Sequence, residues 1–329
     1  MNAAAVSLAA AAALFFAAPA APSPGAEPSA LASSASASAE APASPTASLP
    51  NTDATPAAQI SEPPTHRKAA FPACPPLPAL IRGKPPFPAG EKLSYDLDVV
   101  GAHAARMTLG LKAARSGRDS QVLPIVLHAQ TGTLFSKIRS LKANIRCDLS
   151  QRSLLPTEIL EDVTVNGRRY RNEISFTEAD PDGRREIGIS WQAGDERSGR
   201  DVWAVSGDSL NYLSAFYFFR ALQLKPGDAF CTDILVLRHL WRVEGTVVGR
   251  EHASTPAGEF EAIHLTAKAT RHDKPEDVRE VHYWVSDDAY RLPVAAMGVI
   301  DLGTLRAVLT SVHRPDLTLE AARSAGQEW

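Results

Sequence analysis

From about residue 90 onward, hydrophobic residues alternate with mainly polar residues along most of the chain. Every second residue is apolar in the segments 93–99 and 107–111. A period of two predicts β-strands with one buried face and one face in solvent. The turn sequences Asn166-Gly167 and Pro181-Asp182-Gly183 separate such segments and predict hairpins. Consecutive strands joined by short turns favour an antiparallel sheet.

One segment, residues 206–228, departs from this alternation and has the pattern of a long helix. We expect Asp208 or Ser209 to cap its start, and Pro226 with Gly227 to end it. Its apolar residues leave no polar face, and a helix that is apolar all round is buried. The predicted fold is therefore dominated by β-structure: a strongly curved antiparallel sheet or barrel wrapped around one central apolar helix.

Arg220 is the single charge in the core of this helix. Its guanidinium can bond the last helix carbonyls or pair with a carboxylate such as Asp228, or it can reach into a cavity and meet an anionic head group. A structural pair is favoured because buried charges need partners. If a ligand binds beside the helix, Arg220, Tyr217 and Phe216 are the candidate binding residues.

The first part of the chain has the composition of an exported protein. Residues 1–20 resemble a signal peptide, with an apolar run too short to anchor in a bilayer and the small-residue site Ala18-Pro19-Ala20. We expect the mature chain to begin near Ala21 and to be periplasmic or otherwise exported. No later run is long and apolar enough to span a membrane, so no transmembrane anchor is expected after cleavage.

Composition divides the rest of the chain into four segments. Residues 21–70 are rich in Ala, Ser, Pro and Thr and predict a disordered linker. Residues 71–89 are rich in Pro but contain apolar residues, which predicts an extended strap lying on the folded body. The body, 90–315, is long enough for one β-rich domain, and 316–329 is expected to be a loose tail.

Charge argues against one class of partner. The net charge is −3, and four acidic residues before Arg67 account for it, so the body is nearly neutral. Phosphate backbones require a basic face, so no nucleic-acid partner is expected.

The three cysteines predict one disulfide if the chain is exported. Cys147 shares a strand face with Ile145 and Leu149 and should point into the core, whereas Cys231 should face away from the side that Phe230 and Ile234 bury. Cys74 lies on the strap, which has few backbone bonds to hold it. We therefore predict a Cys74–Cys231 disulfide and a free, buried Cys147.

Two motifs invite a catalytic or metal-binding interpretation, and both have simpler explanations. Gly207-Asp208-Ser209-Leu210 matches the nucleophile block of GDSL-type esterases, but the partner motifs of those enzymes are absent and helix capping also selects Asp and Ser. His264, His272 and His282 are close in sequence. If a hairpin places Lys268 opposite His282, the three histidine side chains point outward and lie apart from one another. This arrangement disfavours a metal site. No metal and no cofactor are expected.

Five blocks in the body resemble the domain-of-unknown-function family 3108. They are GEKLSYDLDVVGAHAARMTLG, GDSLNYLSAFYFFRALQLKPGD, TPAGEFEAIHLTA, VHYWVSDDAYRLPVAA and DLGTLRAVLT. The resemblance covers nearly the whole body and implies an exported protein of Gram-negative-type bacteria with a strongly curved antiparallel sheet or barrel. It implies no catalytic residues.

Three functions are compatible with these features. The first is a non-catalytic envelope protein that binds or carries a lipid or glycan. The second is an interaction module that meets other envelope proteins and has no small ligand. The third, a serine esterase using Ser209, has the least support. A pocket between sheet and helix would favour the first, and a solid core with an exposed apolar patch or an open sheet edge would favour the second.

Overall fold

The computed structural model describes the backbone of Thr65–Lys68 and residues 74–118, 120–195, 197–300 and 302–316. The predicted signal peptide, most of the predicted linker and nearly all of the predicted tail lie outside the described residues. The predicted cleavage site near Ala21 lies outside them as well.

The described chain contains seventeen strands and one α-helix. The elements, in chain order, are β1 (Thr65–Lys68), β2 (Lys92–Val99), β3 (Ala102–Leu111), β4 (Arg115–Ser116), β5 (Gln121–Thr131), β6 (Leu141–Ser150), β7 (Pro156–Val165), β8 (Arg168–Phe176), β9 (Arg184–Ala193), β10 (Arg197–Ser206), β11 (Leu210–Asn211), α1 (Tyr212–Arg220), β12 (Ala229–Val236), β13 (His239–Thr255), β14 (Gly258–Arg271), β15 (Lys274–Ser286), β16 (Pro293–Ile300) and β17 (Gly303–His313). A short 3₁₀ helix, Phe135–Lys137, lies between β5 and β6.

Most of the strands form one antiparallel meander. Its order is β12 to β17, then β2, β3, β5 to β9 and β10. The strands β1 and β11 are exceptions, because they pair in parallel with β10 and β12. The predicted antiparallel architecture is thus confirmed.

The sheet is strongly curved but does not close into a barrel. Side chains nevertheless connect its two ends. The ring of Trp203 on β10 packs edge-on against His272, which follows β14, with centroids 5.6 Å apart. The guanidinium of Arg238, between β12 and β13, lies 4.3 Å above the ring of Trp191 on β9.

The concave face of the sheet holds the core. Alternate residues of the strands are buried, as the pattern of β2 shows, and they pack against α1, all nine residues of which are buried. Such alternation is expected where one face of a sheet is covered. The hairpin between β7 and β8 turns at Asn166-Gly167, where both residues have positive φ, as a two-residue turn of this type requires.

The helix is shorter than the sequence predicts, and its cap is a different residue. Asn211 is the N-cap: its side chain accepts from Leu213 N and Ser214 N, and the Ser214 hydroxyl accepts from Asn211 N at 2.9 Å. Asp208 and Ser209, the predicted caps, instead form a turn with Ser206. The prediction was wrong because residues 210–211 pair with β12, which delays the start of the helix.

This capping geometry leads to a paired prediction. Replacing Asn211 by Ala leaves two buried helix N–H groups without acceptors, so we expect unfolding free energy to fall by about 1–2 kcal/mol. Ser209→Ala removes one local hydrogen bond and is expected to cost no more than about 1 kcal/mol. Urea denaturation of both variants tests this order. Equal losses, or a larger loss for Ser209→Ala, would show that Asn211 is not the cap.

The strap crosses the end of the helix, which explains why α1 ends before Pro226-Gly227. Ile81 N donates to Ala221 O at 2.7 Å, and Gln223 N donates to Ala79 O at 2.8 Å. These bonds occupy backbone groups that a longer helix would use.

The strand β1 lies within the segment predicted to be linker, so ordered structure begins before residue 70.

A disulfide joins Cys74 on the strap to Cys231 on β12, the pair that the sequence predicts. Their Cα atoms are 5.3 Å apart, a usual separation for a disulfide. Cys147 is free and buried. It accepts a hydrogen bond from Asn211 Nδ2 at 3.1 Å, and burial raises the pKa of its thiol to about 12, so it is a structural residue and a poor nucleophile.

Candidate functional site

A cavity lies between α1 and the strands β12 to β16. Its volume is about 80 Å³, several times the roughly 10–15 Å³ needed for one water. Apolar and aromatic side chains form most of its wall: Tyr212, Ala215, Phe216, Phe219, Phe230, Ile234, Val243, Leu265, Ala267, Val281, Tyr283 and Ala296, with Thr266 and His282 beside them. Such a cavity accepts an apolar group more readily than a polar one.

Two aromatic contacts position the helix over this cavity. Phe219 meets Phe230 edge-on at 5.1 Å, and Phe216 meets Tyr283 at 5.4 Å. The Tyr283 hydroxyl donates to the Phe216 carbonyl at 3.1 Å, which ties β15 to the helix backbone. The aromatic wall is therefore held by packing and by a hydrogen bond.

Glycine at position 245 makes room for Phe230. A Cβ built on Gly245 would lie 2.2 Å from the Thr266 carbonyl oxygen and 2.5 Å from the Phe230 ring. Only glycine permits this close approach without displacing Phe230 or the neighbouring strand.

A buried polar cluster borders the same helix. Glu161 on β7 accepts from the Tyr212 hydroxyl at 2.6 Å and from Asn172 Nδ2 at 2.5 Å. Burial raises the pKa of Glu161, although both hydrogen bonds partly oppose the shift. Sequence reasoning missed this cluster; the available signal was an acidic residue between Ile159 and Val163, at a position where alternation requires an inward side chain.

Arg220 is the centre of a buried ion cluster on another side of the helix. Its Nη1 and Nη2 donate to the two carboxylate oxygens of Glu91 at 2.6 and 2.9 Å, and Arg314 donates to Glu91 at 2.8 Å. Arg220 also donates to the carbonyls of Arg291 and Tyr290. Burial alone would lower the pKa of Arg220, but Glu91 raises it, so the guanidinium stays charged.

The structural pairing of Arg220 is therefore correct, but its partner is Glu91. The carboxylate of Asp228 instead accepts from Lys225 N in the turn before β12. Of the three predicted ligand-binding residues, only Phe216 lines the cavity. Tyr217 packs against Phe87 of the strap at 5.0 Å, and Arg220 lies over the same ring, so both join strap to helix.

The three histidines are not arranged as the predicted register requires. His282 lies opposite Thr266, and Lys268 lies opposite Glu280. His264 and His282 are therefore close, with Nε2 and Nδ1 3.0 Å apart, and the His264 ring stacks on Trp284 at 4.4 Å. His272 lies apart from them, against Trp203. Within the described ranges, no group of three or more His, Cys, Asp or Glu is placed to hold a metal ion.

Ser209 has the environment of a turn residue. It is fully buried, and its hydroxyl donates to the Ser206 carbonyl at 2.7 Å. A catalytic serine needs an adjacent general base and access to substrate. The contacts of Ser209 support the interpretation of Gly207-Asp208-Ser209-Leu210 as local structure.

In the part of the chain that the structure describes, no helix has the length and hydropathy needed to cross a membrane.

Several solved structures resemble this chain. A β-barrel-like protein of domain of unknown function DUF1849 from Brucella abortus has a TM-score of 0.48 and 8% identity, and the match covers 70% of this chain and 99% of that one. A proposed exported protein with a YmcC-like fold from Bacteroides fragilis has a TM-score of 0.32 and 8% identity, covering 70% and 98% of the two chains. A proposed lipoprotein from Parabacteroides distasonis has a TM-score of 0.31 and 9% identity, covering 70% and 99%.

No curated protein matches this chain. A family model does match, over residues 94–310, which is most of the β-rich domain and includes the helix and the whole cavity wall. The resemblance seen in the sequence is thereby confirmed, and the chain belongs to DUF3108, a family described as proteins of unknown function.

Proposed function

We propose that this protein is a non-catalytic, exported cell-envelope protein that binds the apolar part of a lipid between α1 and strands β12 to β16. The observation that carries the proposal is the cavity of about 80 Å³ with an aromatic and aliphatic wall. Tight packing normally leaves few voids larger than a water molecule, so a cavity of this size between the helix and the sheet suggests a binding role.

The composition of the wall favours a lipid over a glycan. A sugar needs several hydrogen-bond partners, because burying an unpaired hydroxyl is unfavourable. The described wall consists mainly of Ala, Ile, Leu, Val and Phe side chains, and the hydroxyl of Tyr212 is already bonded to Glu161. The volume suits the end of an alkyl chain better than a whole lipid.

Two features support export. Residues 1–20 have the composition of a signal peptide, and the Cys74–Cys231 disulfide is of a kind that persists in oxidising compartments. These features support a location in the periplasm or otherwise outside the cytoplasm.

Calorimetric titration with dodecanoate tests the proposed site. We expect saturable binding to the wild-type protein and at least tenfold weaker binding to Ala267→Leu, because the larger side chain occupies the cavity beside Leu265 and Phe230. Ala253→Leu is the matched control, since Ala253 lies on β13 outside the cavity wall. The absence of saturable binding, or equal weakening in both variants, would contradict the proposal.

A second candidate, an envelope interaction module, has its own support. Leu134 and Ile138 flank the short 3₁₀ helix and are 79% and 72% exposed, and the sheet does not close. Exposed apolar residues and open sheet edges are typical of protein contacts. Crosslinking from position 134 in the native envelope would favour this candidate if it captured one partner reproducibly and dodecanoate binding were absent.

The esterase alternative also has a direct test. We expect no labelling of Ser209 by a fluorophosphonate probe in the folded protein, because its hydroxyl is buried and bonded to a carbonyl. Stoichiometric labelling of Ser209 would contradict the non-catalytic proposal.

A further inference from the structure

A second cleft lies beside strands β4 to β9, away from the cavity wall of β12 to β16. The end of β6, the start of β7 and the end of β8 surround it, and its volume is about 970 Å³. We call it the basic cleft, because four arginines line it: Arg115, Arg118, Arg152 and Arg185. Ser150, Ser153 and Ser175 also line it.

Arg185 is the unusual residue of the basic cleft. It lies on β9 two residues before the buried Ile187 and therefore points to the concave side of the sheet, where it is only 6% exposed. Its Nη1 donates to the Pro156 carbonyl at 3.1 Å, and its Nη2 donates to the Ser209 carbonyl. Its Cζ lies 4.7 Å from the centre of the Phe176 ring.

The guanidinium of Arg185 is bonded to neutral groups only. Both hydrogen-bond acceptors are backbone carbonyls, and Nε has no partner among the described residues. A buried cation normally pairs with a carboxylate, and an unsatisfied buried donor calls for a bound water or ion. Burial lowers the pKa of Arg185 to about 10, and the nearby Asp208 only partly opposes this shift.

Two of the acidic residues that line the cleft, Asp148 and Glu158, already pair with arginines. Asp148 is bonded by Arg115 and lies near Arg146, and Arg146 also bonds Glu158 at 2.8 Å. The carboxylate of Asp208 accepts from the Ser206 hydroxyl. Glu178 remains on the exposed rim. The described cleft therefore has more arginine charge than carboxylate charge available to offset it.

We propose that the basic cleft is a second binding site, for a phosphate or carboxylate group, with Arg185 as its floor and Arg118 and Arg152 as its cationic wall. Guanidinium groups bind such oxyanions through charge-assisted and often bidentate hydrogen bonds. The site is separate from the apolar cavity, because the two share no lining residue.

The test is a calorimetric titration of the full protein with inorganic phosphate, glucose 6-phosphate and glucuronate, and sedimentation with phosphatidylglycerol vesicles. We expect saturable binding of at least one of these probes. Replacing both Arg118 and Arg152 by Gln should weaken it at least tenfold. Arg106→Gln, on the exposed face of β3, is the matched control and should leave binding unchanged.

The probes distinguish the sources of the anion, since binding only to vesicles indicates a lipid head group and binding of the soluble probes indicates a free anion or sugar acid. Arg185→Met should abolish binding. If Arg185→Met does not fold, the variant with Arg118 and Arg152 replaced by Gln still tests the proposal. Ala267→Leu should leave anion binding intact, which separates this site from the apolar cavity. No saturable binding, equal weakening by Arg106→Gln, or equal binding of chloride would overturn the proposal.

Discussion

Replacing Glu91 by Gln is expected to lower the unfolding free energy by about 3–5 kcal/mol, which is the usual cost of breaking a buried ion pair. Glu91 is fully buried and accepts hydrogen bonds from both Arg220 and Arg314. Glutamine retains the shape but loses the charge, so the buried Arg220 guanidinium loses its counter-charge, and Arg314 keeps only its pair with Asp316. The same change loosens the strap, since Arg314 also bonds the Pro86 carbonyl at 2.9 Å.

Urea denaturation followed by tryptophan fluorescence measures this effect. Asp96→Asn is the matched control, because Asp96 pairs with Arg106 at 3.5 Å on the exposed face of the sheet. Pairs exposed in this way contribute little to stability, so we expect the control to resemble the wild-type protein. If the urea concentration at the midpoint of unfolding is the same for Glu91→Gln as for the wild-type protein, the buried cluster does not stabilise the fold.

Removal of the disulfide is the second change with a large expected effect. Cys74 and Cys231 are 157 residues apart, and the chain-entropy model assigns a loop of this length a contribution of up to about 5 kcal/mol. We expect Cys74→Ser to lower the unfolding free energy by about 2–5 kcal/mol and to free the strap from β12. Limited proteolysis should then cleave before Phe87 faster than in the wild-type protein.

The control for this experiment is the third cysteine. Cys147→Ala leaves the disulfide intact, so its strap should remain as resistant to protease as that of the wild-type protein. Peptide mapping without reduction identifies the bond directly. Three free thiols, or a bond that includes Cys147, would contradict the assignment.

Local patterns in the sequence predicted the strands well. Alternation over residues 93–99 and the Asn166-Gly167 turn depend on neighbouring residues, and both correspond to observed elements. The disulfide was also predictable, because alternation directs Cys231 away from the side that Phe230 and Ile234 bury.

Other features that depend on distant residues were not predictable. Glu91 and Arg220 are 129 residues apart, so no local pattern could name Glu91 as the partner. The start of α1 depends on pairing of residues 210–211 with β12, which made Asn211 the cap. The turn between β14 and β15 is His272-Asp273 with a register shift beside it, so His282 lies opposite Thr266 and not opposite Lys268.

The candidate cavity illustrates the same limit. The sequence identified an apolar helix and named Phe216, which lines the cavity. It did not identify Phe230, Leu265 or Ala267, because these residues come from separate strands that meet only after the sheet has curved around the helix. Sequence reasoning also missed Arg185, although its alternation with Ile187 and Ile189 on β9 places it at an inward position, as for Glu161.

Native mass spectrometry of protein purified from an exporting host tests the apolar site most directly. We expect a bound species whose mass corresponds to a lipid or fatty acid, which is released on denaturation and is strongly reduced in Ala267→Leu but not in Ala253→Leu. Protein that carries no such species, even after incubation with total envelope lipid, would contradict the proposal that the cavity between α1 and the sheet binds a lipid.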